Sequence, residues 1–166
     1  MKSVFKGRLI ELITQKIKLP NGHIVNFETI SHPGAILIIP FLSKDKIILL
    51  RQLRPVIGRY IYELPAGTLK KKENPALAAK REMLEETGFS ANRITKLGII
   101  FPVPGYSTEK ITIYKAEGLK KGKFAPEKDE VITTKIVTKK EIRQLFKNGK
   151  IIDAKTISAF VFCGWL

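Results

Sequence analysis

The sequence predicts one domain of the α/β (α+β) class, in which an antiparallel hairpin precedes the main β-sheet. Three observations lead to this class. A length of 166 residues is typical of a single domain with a sizeable core. Short apolar or alternating runs, separated by glycine, proline and asparagine turns, predict strands over much of the chain. Three segments carry helix-capping signals, so helices are expected among the strands.

The N-terminal region, residues 1–33, is predicted to contain the hairpin. Alternating residues indicate the strands Arg8–Leu19 and His23–Ile30. Pro20-Asn21-Gly22 between them is typical of a hairpin turn, because Asn and Gly accept a positive φ. His32-Pro33-Gly34 then interrupts the strand pattern, and we interpret the hairpin as part of the single domain.

Residues 34–166 are predicted to hold the main sheet and the helices. Strands are expected at Ala35–Leu42, Lys46–Arg54, Arg59–Pro65, Ile94–Pro102, Lys110–Lys115 and Val131–Val137. Helices are expected after Asn74, at Lys139–Lys147 and at Asp153–Leu166. The lysine-rich segment Gly118–Lys128 is predicted to be a loop able to close over a bound substrate.

The segment Gly67–Phe89, with the sequence GTLKKKENPALAAKREMLEETGF, has the most complete helix signals. Asn74 suits the N-cap and Pro75 suits the first helical position. Gly88 suits the left-handed residue just past the end. The residues between them are mostly strong helix formers, so a short helix is predicted here.

Helical geometry places three carboxylates on one face of this helix. At about 100° per residue, Glu82 and Glu86 lie one turn apart and Glu85 lies beside them. Leu77 and Leu84 are expected to point the opposite way, toward a core. Carboxylates four residues apart repel each other, so this face needs a compensating partner.

We expect the compensating partner of these carboxylates to be a divalent cation. Hard oxygen ligands on one rigid face suit Mg²⁺ or Mn²⁺, which leave other coordination positions for water and phosphate. Arg81 precedes Glu85 by four residues and is expected to pair with it. The alternative is a solvated acidic face, but this leaves the glycines, the arginine and the concentration of acid on a basic chain unexplained.

The segment resembles the Nudix box, whose pattern is Gly-x5-Glu-x7-Arg-Glu-U-x-Glu-Glu-x-Gly-U with U a bulky apolar residue. All nine fixed positions within 23 residues are filled, by Gly67, Glu73, Arg81, Glu82, Met83, Glu85, Glu86, Gly88 and Phe89. The resemblance implies a metal-dependent hydrolase of a nucleoside diphosphate linked to another group. It also implies a mixed β-sheet sandwiched between helices over residues 34–166.

The resemblance implies roles for individual residues. The metal ligands that it implies, for two or three ions of Mg²⁺ or Mn²⁺, are the Ala66 carbonyl and the side chains of Glu82, Glu85, Glu86 and Asp129. The catalytic group that it implies consists of Arg81, Glu85, Glu86 and Glu127. Glu127 matches a general base in a variable loop, and a shift of register to Glu130 stays open. Arg54 matches a phosphate-binding arginine, with Arg51 as a second candidate.

A second feature resembles the ADP-ribose pyrophosphatases within this family. Pro104 stands 15 residues after Phe89 and is followed by Gly-Tyr-Ser-x-Glu. This subgroup implies that Glu109 contacts the substrate and that the N-terminal sheet forms a homodimer. It also implies that Phe27 stacks on a substrate base from the partner subunit. The alternatives are ordinary sheet packing for Phe27 and a solvated loop residue for Glu109.

Composition argues against several other classes of protein. No apolar run reaches the length of a membrane span, and the N-terminus lacks the apolar stretch of a signal peptide. The single cysteine, Cys163, excludes an internal disulfide and suits the cytoplasm, where we expect the protein to act. Two histidines, His23 and His32, argue against a histidine-built zinc site.

The net charge of +15 leaves the substrate open. It is consistent with anionic substrates or with nucleic acid, but the lysines are dispersed, as on any soluble basic surface. We expect an ADP-ribose or related nucleotide-sugar pyrophosphatase. The alternatives are the same chemistry on NADH, a dinucleoside polyphosphate or an RNA 5′ end, and a nucleotide-binding module without catalysis.

Overall fold

The computed structural model of the chain describes residues 1–166 and confirms the mixed class. Its ten strands are β1 (Lys2–Lys6), β2 (Glu11–Lys18), β3 (Ile24–Ser31), β4 (Ala35–Ser43), β5 (Lys46–Arg54), β6 (Arg59–Glu63), β7 (Ala66–Thr68), β8 (Phe89–Ile100), β9 (Ile111–Lys121) and β10 (Ile132–Thr138). The helices are α1 (Pro75–Thr87), α2 (Lys139–Lys147) and α3 (Ala154–Phe162). None of these helices has the length and apolar character needed to cross a membrane.

The strands form two sheets. Strands β1, β2 and β3 make a small antiparallel sheet at the N-terminus. The other seven make the main sheet in the order β10-β5-β4-β9-β8, with β6 beside β5 and β7 beside β4. Strands β4 and β9 run parallel whereas their neighbours pair antiparallel, so the main sheet is mixed.

Helices cover both faces of the main sheet because successive side chains of β4 point to opposite sides. Leu37 belongs to a core that includes Phe160 of α3 and residues of α2. Ile36 belongs to a second core that includes Met83 of α1. The sheet is therefore sandwiched between α1 on one face and α2 and α3 on the other, as the resemblance implies.

The N-terminal region has one strand more than the predicted hairpin. Strand β1 pairs with β2, and the strand expected at Arg8–Leu19 begins only at Glu11. Every residue of β1 is exposed. A strand with no buried face does not need to alternate apolar and polar residues, and this is why the sequence does not reveal it.

Strand β9 extends farther than its sequence indicates. The segment predicted as a loop from Gly118 starts only after Lys121, because Leu119 and Lys121 pair with Ala91 and Phe89 of β8. The lysines at the exposed end of β9 interrupt the apolar pattern that indicates a strand. The connection between β9 and β10 consequently covers residues 122–131.

The expected orientation of α1 is wrong at Leu77 and at Leu84, which is only partly buried and lies outside both cores. Leu77 was expected in the core but is 63% exposed, whereas Ala78, Ala79 and Met83 are fully buried against the sheet. Small alanine side chains let the helix approach the sheet closely, and this close approach turns the carboxylate face inward rather than toward bulk water.

Candidate active site

The carboxylate face of α1 lies against strand β7. The Asn74 side chain accepts a hydrogen bond from the N–H of Ala76 at 2.9 Å, so the predicted N-cap sets the start of the helix. β7 is held in the sheet by pairing with β4. This arrangement lets the backbone N–H of Ala66 donate to Oε2 of Glu86 at 3.0 Å. Helix and strand are therefore joined at the centre of the site.

Gly67 makes this close approach possible. A Cβ atom at this position would overlap the side-chain carboxyl group of Glu82. Gly67 does not adopt a positive φ, so the site does not need glycine for its backbone conformation. The site needs glycine because it has no side chain. The first glycine of the sequence motif thus has a steric explanation.

Arg81 holds three of the acidic side chains together. Its guanidinium donates to Glu73 at 3.0 and 3.1 Å, to Glu82 at 2.7 Å and to Glu85 at 3.0 Å. The hydrogen bond from Arg81 lowers the pKa of the Glu73 carboxyl. The predicted pairing of Arg81 with Glu85 is present, and the arginine offsets the repulsion between neighbouring carboxylates.

Glu86 is the most buried carboxylate of the face and lies outside the Arg81 cluster. Glu86 is only 1% exposed, and burial raises the pKa of Glu86 well above its ordinary value. The N–H of Ala66 acts in the opposite direction, while the charges of Glu130 and Glu82 raise this pKa further. Burial also raises the pKa of Glu82, although Arg81 opposes the shift. A cation beside these carboxylates would relieve the cost of burying them.

The donor set fits a hard divalent cation by its chemistry. Carboxylate oxygens on one helix face are the ligands that Mg²⁺ and Mn²⁺ prefer. In the present arrangement, no three Asp, Glu, His or Cys side chains converge as a complete metal site. Glu82 and Glu85 are both engaged by the guanidinium of Arg81.

The loop between β9 and β10 is anchored on the end of α1. The N–H of Gly122 donates to the carbonyl of Gly88 at 2.7 Å, and the N–H of Ala125 donates to the carbonyl of Glu85 at 3.1 Å. These bonds bring the loop's acidic end toward the carboxylate face. A loop close to the carboxylate face is what the sequence analysis expects. The observed loop begins later than expected, because β9 continues to Lys121.

Two glutamates of this loop line one cavity with the carboxylate face. The cavity has a volume of about 330 Å³, and its walls include Glu82, Glu127 and Glu130. Oε2 of Glu130 accepts a hydrogen bond from the N–H of Glu127 at 2.9 Å. Burial raises the pKa of the Glu130 carboxyl. We call this space the carboxylate cavity.

Arg54 connects the carboxylate cavity to a second cavity. The second cavity, of about 380 Å³, is lined by Arg54, Ala66, Glu109 and Lys155, among others. Arg54, Ala66 and Gly67 also line the carboxylate cavity. Two adjoining spaces that share one arginine suit a ligand with a phosphate group in the middle and a substituent at each end.

Glu85 and Glu86 lie behind the walls of both cavities, and three other residues singled out from the sequence lie farther from them. Arg51 points away from Arg54, and its guanidinium carbon lies 4.1 Å from the centre of the Tyr60 ring. The side chain of Asp129 is 69% exposed and faces Arg8 at 3.7 Å. Phe27 lines a cavity of about 830 Å³ on the N-terminal sheet.

The sequence missed two residues that line the second cavity. Asp153 caps α3 by accepting a hydrogen bond from the N–H of Thr156 at 3.0 Å, a role that its position before the helix signals. Lys155 has no comparable signal in the sequence. Beside them, the buried carboxylate of Glu63 forms an ion pair with Arg54, at 2.6 Å between Oε2 and Nη2.

Comparison with known proteins adds an independent line of observation. Residues 31–160 match the family described as the NUDIX domain. The chain is 34% identical over 163 residues to an ADP-ribose pyrophosphatase of Bacillus subtilis, covering 97% of this chain and 88% of the relative. It is 35% identical over 160 residues to a methanol dehydrogenase activator of Bacillus methanolicus, covering 95% of this chain and 86% of that relative.

A solved structure resembles the fold over nearly the whole chain. It is a crystal structure of an ADP compounds hydrolase, with a TM-score of 0.83 and 23% sequence identity. The likeness covers 98% of this chain and 88% of that one. The arrangement of the two sheets and three helices is therefore an established architecture.

Substitution of Gly67 by alanine tests the close packing of β7 on α1. The new methyl group displaces the Glu82 carboxyl, so we expect Gly67→Ala to weaken Mn²⁺ binding by about 10- to 100-fold. Isothermal titration of the purified variant with Mn²⁺ measures this change, and an unaltered circular dichroism spectrum verifies that the fold is kept. Wild-type affinity for Mn²⁺ would contradict a requirement for glycine.

Proposed function

This chain belongs to the NUDIX family, and we propose that it hydrolyses the pyrophosphate bond of ADP-ribose to AMP and ribose 5-phosphate. The observation that carries the proposal is the acidic face of α1. Its Glu82 lines a cavity together with Arg54, and its buried Glu86 accepts a hydrogen bond from Ala66, which lines the same cavity. The names of several relatives support this substrate. A dehydrogenase activator of equal similarity means that identity alone does not select it, so the substrate needs a direct test.

Nudix hydrolases generally need divalent metal ions. We propose that two or three ions of Mg²⁺ or Mn²⁺ are held by the Ala66 carbonyl and the side chains of Glu82, Glu85 and Glu86. Such ions, when bound, supply charge screening for the diphosphate and lower the pKa of water. The buried position of Glu86 and the oxygen chemistry of the face support this ligand set.

The other residues of the chain bind, orient and exchange protons. Arg54 presents a planar, permanently charged guanidinium to the phosphate oxygens from the junction of the two cavities. Arg81 orients Glu82 and Glu85 from behind the helix face. A water oxygen forms a bond to one phosphorus as the bond from that phosphorus to the bridging oxygen breaks. A loop carboxylate takes the proton that this water loses.

Two loop glutamates are candidates for this carboxylate, and we propose Glu130. Its charge acts directly on Glu82 and Glu86, which supports a position facing the helix. Burial raises the Glu130 pKa, which brings this carboxyl closer to the range of an efficient base at neutral pH. Glu127, the match by resemblance, lines the same cavity and is the alternative. The exposed side chain of Asp129 gives a metal contact at that residue little support.

We propose that the protein is a homodimer formed through its N-terminal sheet. Val4, Phe5 and Ile24 of this sheet are large apolar side chains that are exposed in the single chain, and a subunit interface would bury them. In a dimer, Phe27 would stack on the substrate base in the partner's site, whereas Glu109 contacts substrate within its own second cavity. Arg51 keeps only a structural contact with Tyr60.

A substrate panel with Mg²⁺ tests the proposed activity. We expect ADP-ribose to yield AMP and ribose 5-phosphate, identified by chromatography, and we expect Glu86→Gln to lack turnover above background while keeping its fold. NADH, a dinucleoside polyphosphate and 5′-capped RNA belong in the same panel. Cleavage of one of these with ADP-ribose untouched would overturn the specificity, and no turnover on any of them would favour a binding module.

Parallel substitution of the two loop glutamates tests the base. We expect Glu130→Gln to lower kcat by about 10²- to 10⁴-fold and to remove the acidic limb of the kcat profile, because the proton acceptor is lost. Glu127→Gln is the matched control and should lower kcat less than about tenfold. The opposite order of effects would assign the base to Glu127.

Analytical ultracentrifugation tests the dimer. The wild-type protein should sediment with twice the mass of one chain, and Phe5→Lys together with Ile24→Lys should yield the monomer, because each introduces a charge into the apolar surface. A monomeric wild-type protein at micromolar concentration would overturn the proposed assembly.

A further inference from the structure

A buried carboxylate lies between two cations at the edge of the second cavity. The side chain of Glu63 is 2% exposed. Its two oxygens accept hydrogen bonds from Nε of Arg54 at 2.9 and 3.1 Å, and Nη2 of Arg54 lies 2.6 Å from Oε2. Nζ of Lys155 donates to Oε1 at 3.0 Å. A single carboxylate thus fixes the positions of two cationic side chains from distant parts of the sequence.

The start of helix α3 is fastened beside this carboxylate. Nζ of Lys155 also donates to Oδ1 of Asp153 at 2.8 Å, while Oδ2 of Asp153 caps the helix. The N–H of Leu64, next to Glu63, donates to the buried hydroxyl of Thr156 at 3.0 Å. These bonds join β6 to α3 through backbone and side chain, so Lys155 has little freedom to leave the cavity wall.

Both cations have hydrogen-bond donors that no protein group accepts, and both residues line the second cavity. A lysine ammonium has three donors, and Lys155 uses two of them in its bonds to Glu63 and Asp153. An arginine has five, and Nη1 of Arg54 has no partner in the protein. Lys155, which is 18% exposed, lines the second cavity, and Arg54 lines both cavities.

The spacing of the two cations suits a diphosphate. Nε of Arg54 and Nζ of Lys155 lie 3.1 and 3.0 Å from the same oxygen of Glu63, so they are at most about 6 Å apart. The charges of Arg54, Lys155, Glu63 and Asp153 cancel. The group therefore supplies donors at fixed positions rather than a net positive field, and such preorganised donors bind phosphate oxygens without further ordering.

We propose that Lys155 is a second substrate-binding cation, which contacts the diphosphate beside Arg54, and that Glu63 is the positioning residue that holds both. This inference rests on the proposed function, since it assigns a contact within the same reaction. The competing explanation is that Lys155 only pins α3 to β6. The two explanations differ in what they predict for substrate affinity once the protein is folded.

Substitution of Lys155 separates these explanations. We expect Lys155→Met to raise the KM for ADP-ribose by about tenfold or more, with a smaller change in kcat, because the lost contact is made before and during the reaction. Lys155→Arg keeps a donor and a charge and should stay within about threefold of the wild-type KM. Lys140→Met removes one charge from the exposed surface of α2 and is the matched control for net charge.

Stability is measured on the same variants, and the kinetics are recorded well below each melting temperature. A lower Tm for Lys155→Met with a wild-type KM would overturn the proposal and leave only the structural role. Glu63→Gln should raise KM with both cations still present, because Arg54 and Lys155 lose their common anchor. Where Glu63→Gln fails to fold, the comparison of Lys155→Met with Lys155→Arg decides the matter.

The assay also distinguishes this inference from the proposed activity. Wild-type protein that leaves ADP-ribose intact overturns both. Wild-type protein that cleaves ADP-ribose, together with equal KM values for Lys155→Met and Lys140→Met, overturns only the contact at Lys155. A tenfold rise in KM that Lys155→Arg reverses supports the contact.

Discussion

The hydrogen bond from the Ala66 N–H to the buried carboxylate of Glu86 is the contact on which the site depends. It joins the edge of the main sheet to the acidic face of α1 at a point where Gly67 leaves no side chain between them. Without this close approach, Glu82 and Glu86 would face bulk water and would have an ordinary affinity for protons. Burial instead gives these carboxylates their raised pKa values, and a bound cation would offset the cost of burying them.

Opposite charges are paired around this contact in two separate groups. Arg81 gathers Glu73, Glu82 and Glu85 on one side. Glu63 gathers Arg54 and Lys155 on the other. Each group has one charged side chain at its centre, which holds two or three side chains of the opposite charge. A strongly basic chain thereby places an acidic face and a charge-balanced set of fixed hydrogen-bond donors within one cleft.

The two groups divide the cleft by function. In the proposed reaction, the carboxylate cavity provides the acidic residues, and the second cavity combines apolar walls with the donors of Arg54 and Lys155. Arg54 lines both cavities, so a diphosphate bound there as proposed would lie near the carboxylates. The loop of residues 122–131 adds Glu130 to the first cavity through bonds to the end of α1.

The sequence by itself determined those features that depend on neighbours along the chain. Helix α1 begins after Asn74 and ends before Gly88, as predicted. The pairing of Arg81 with Glu85 follows from their spacing of four residues along the helix. The motif also identified the family and the acidic face. These relations are local, because the geometry of a helix or a tight turn is the same wherever it occurs.

Only the tertiary structure decided which distant residues meet. The pairing of Lys155 with Glu63 joins positions 92 residues apart, and no sequence pattern of either element indicates it. The same holds for the burial of Glu86, for the exposed side chain of Leu77 and for the strand at Lys2–Lys6. Each is set by how closely a helix packs on the sheet or by which strands pair, and such long-range contacts depend on the packing of the whole chain at once.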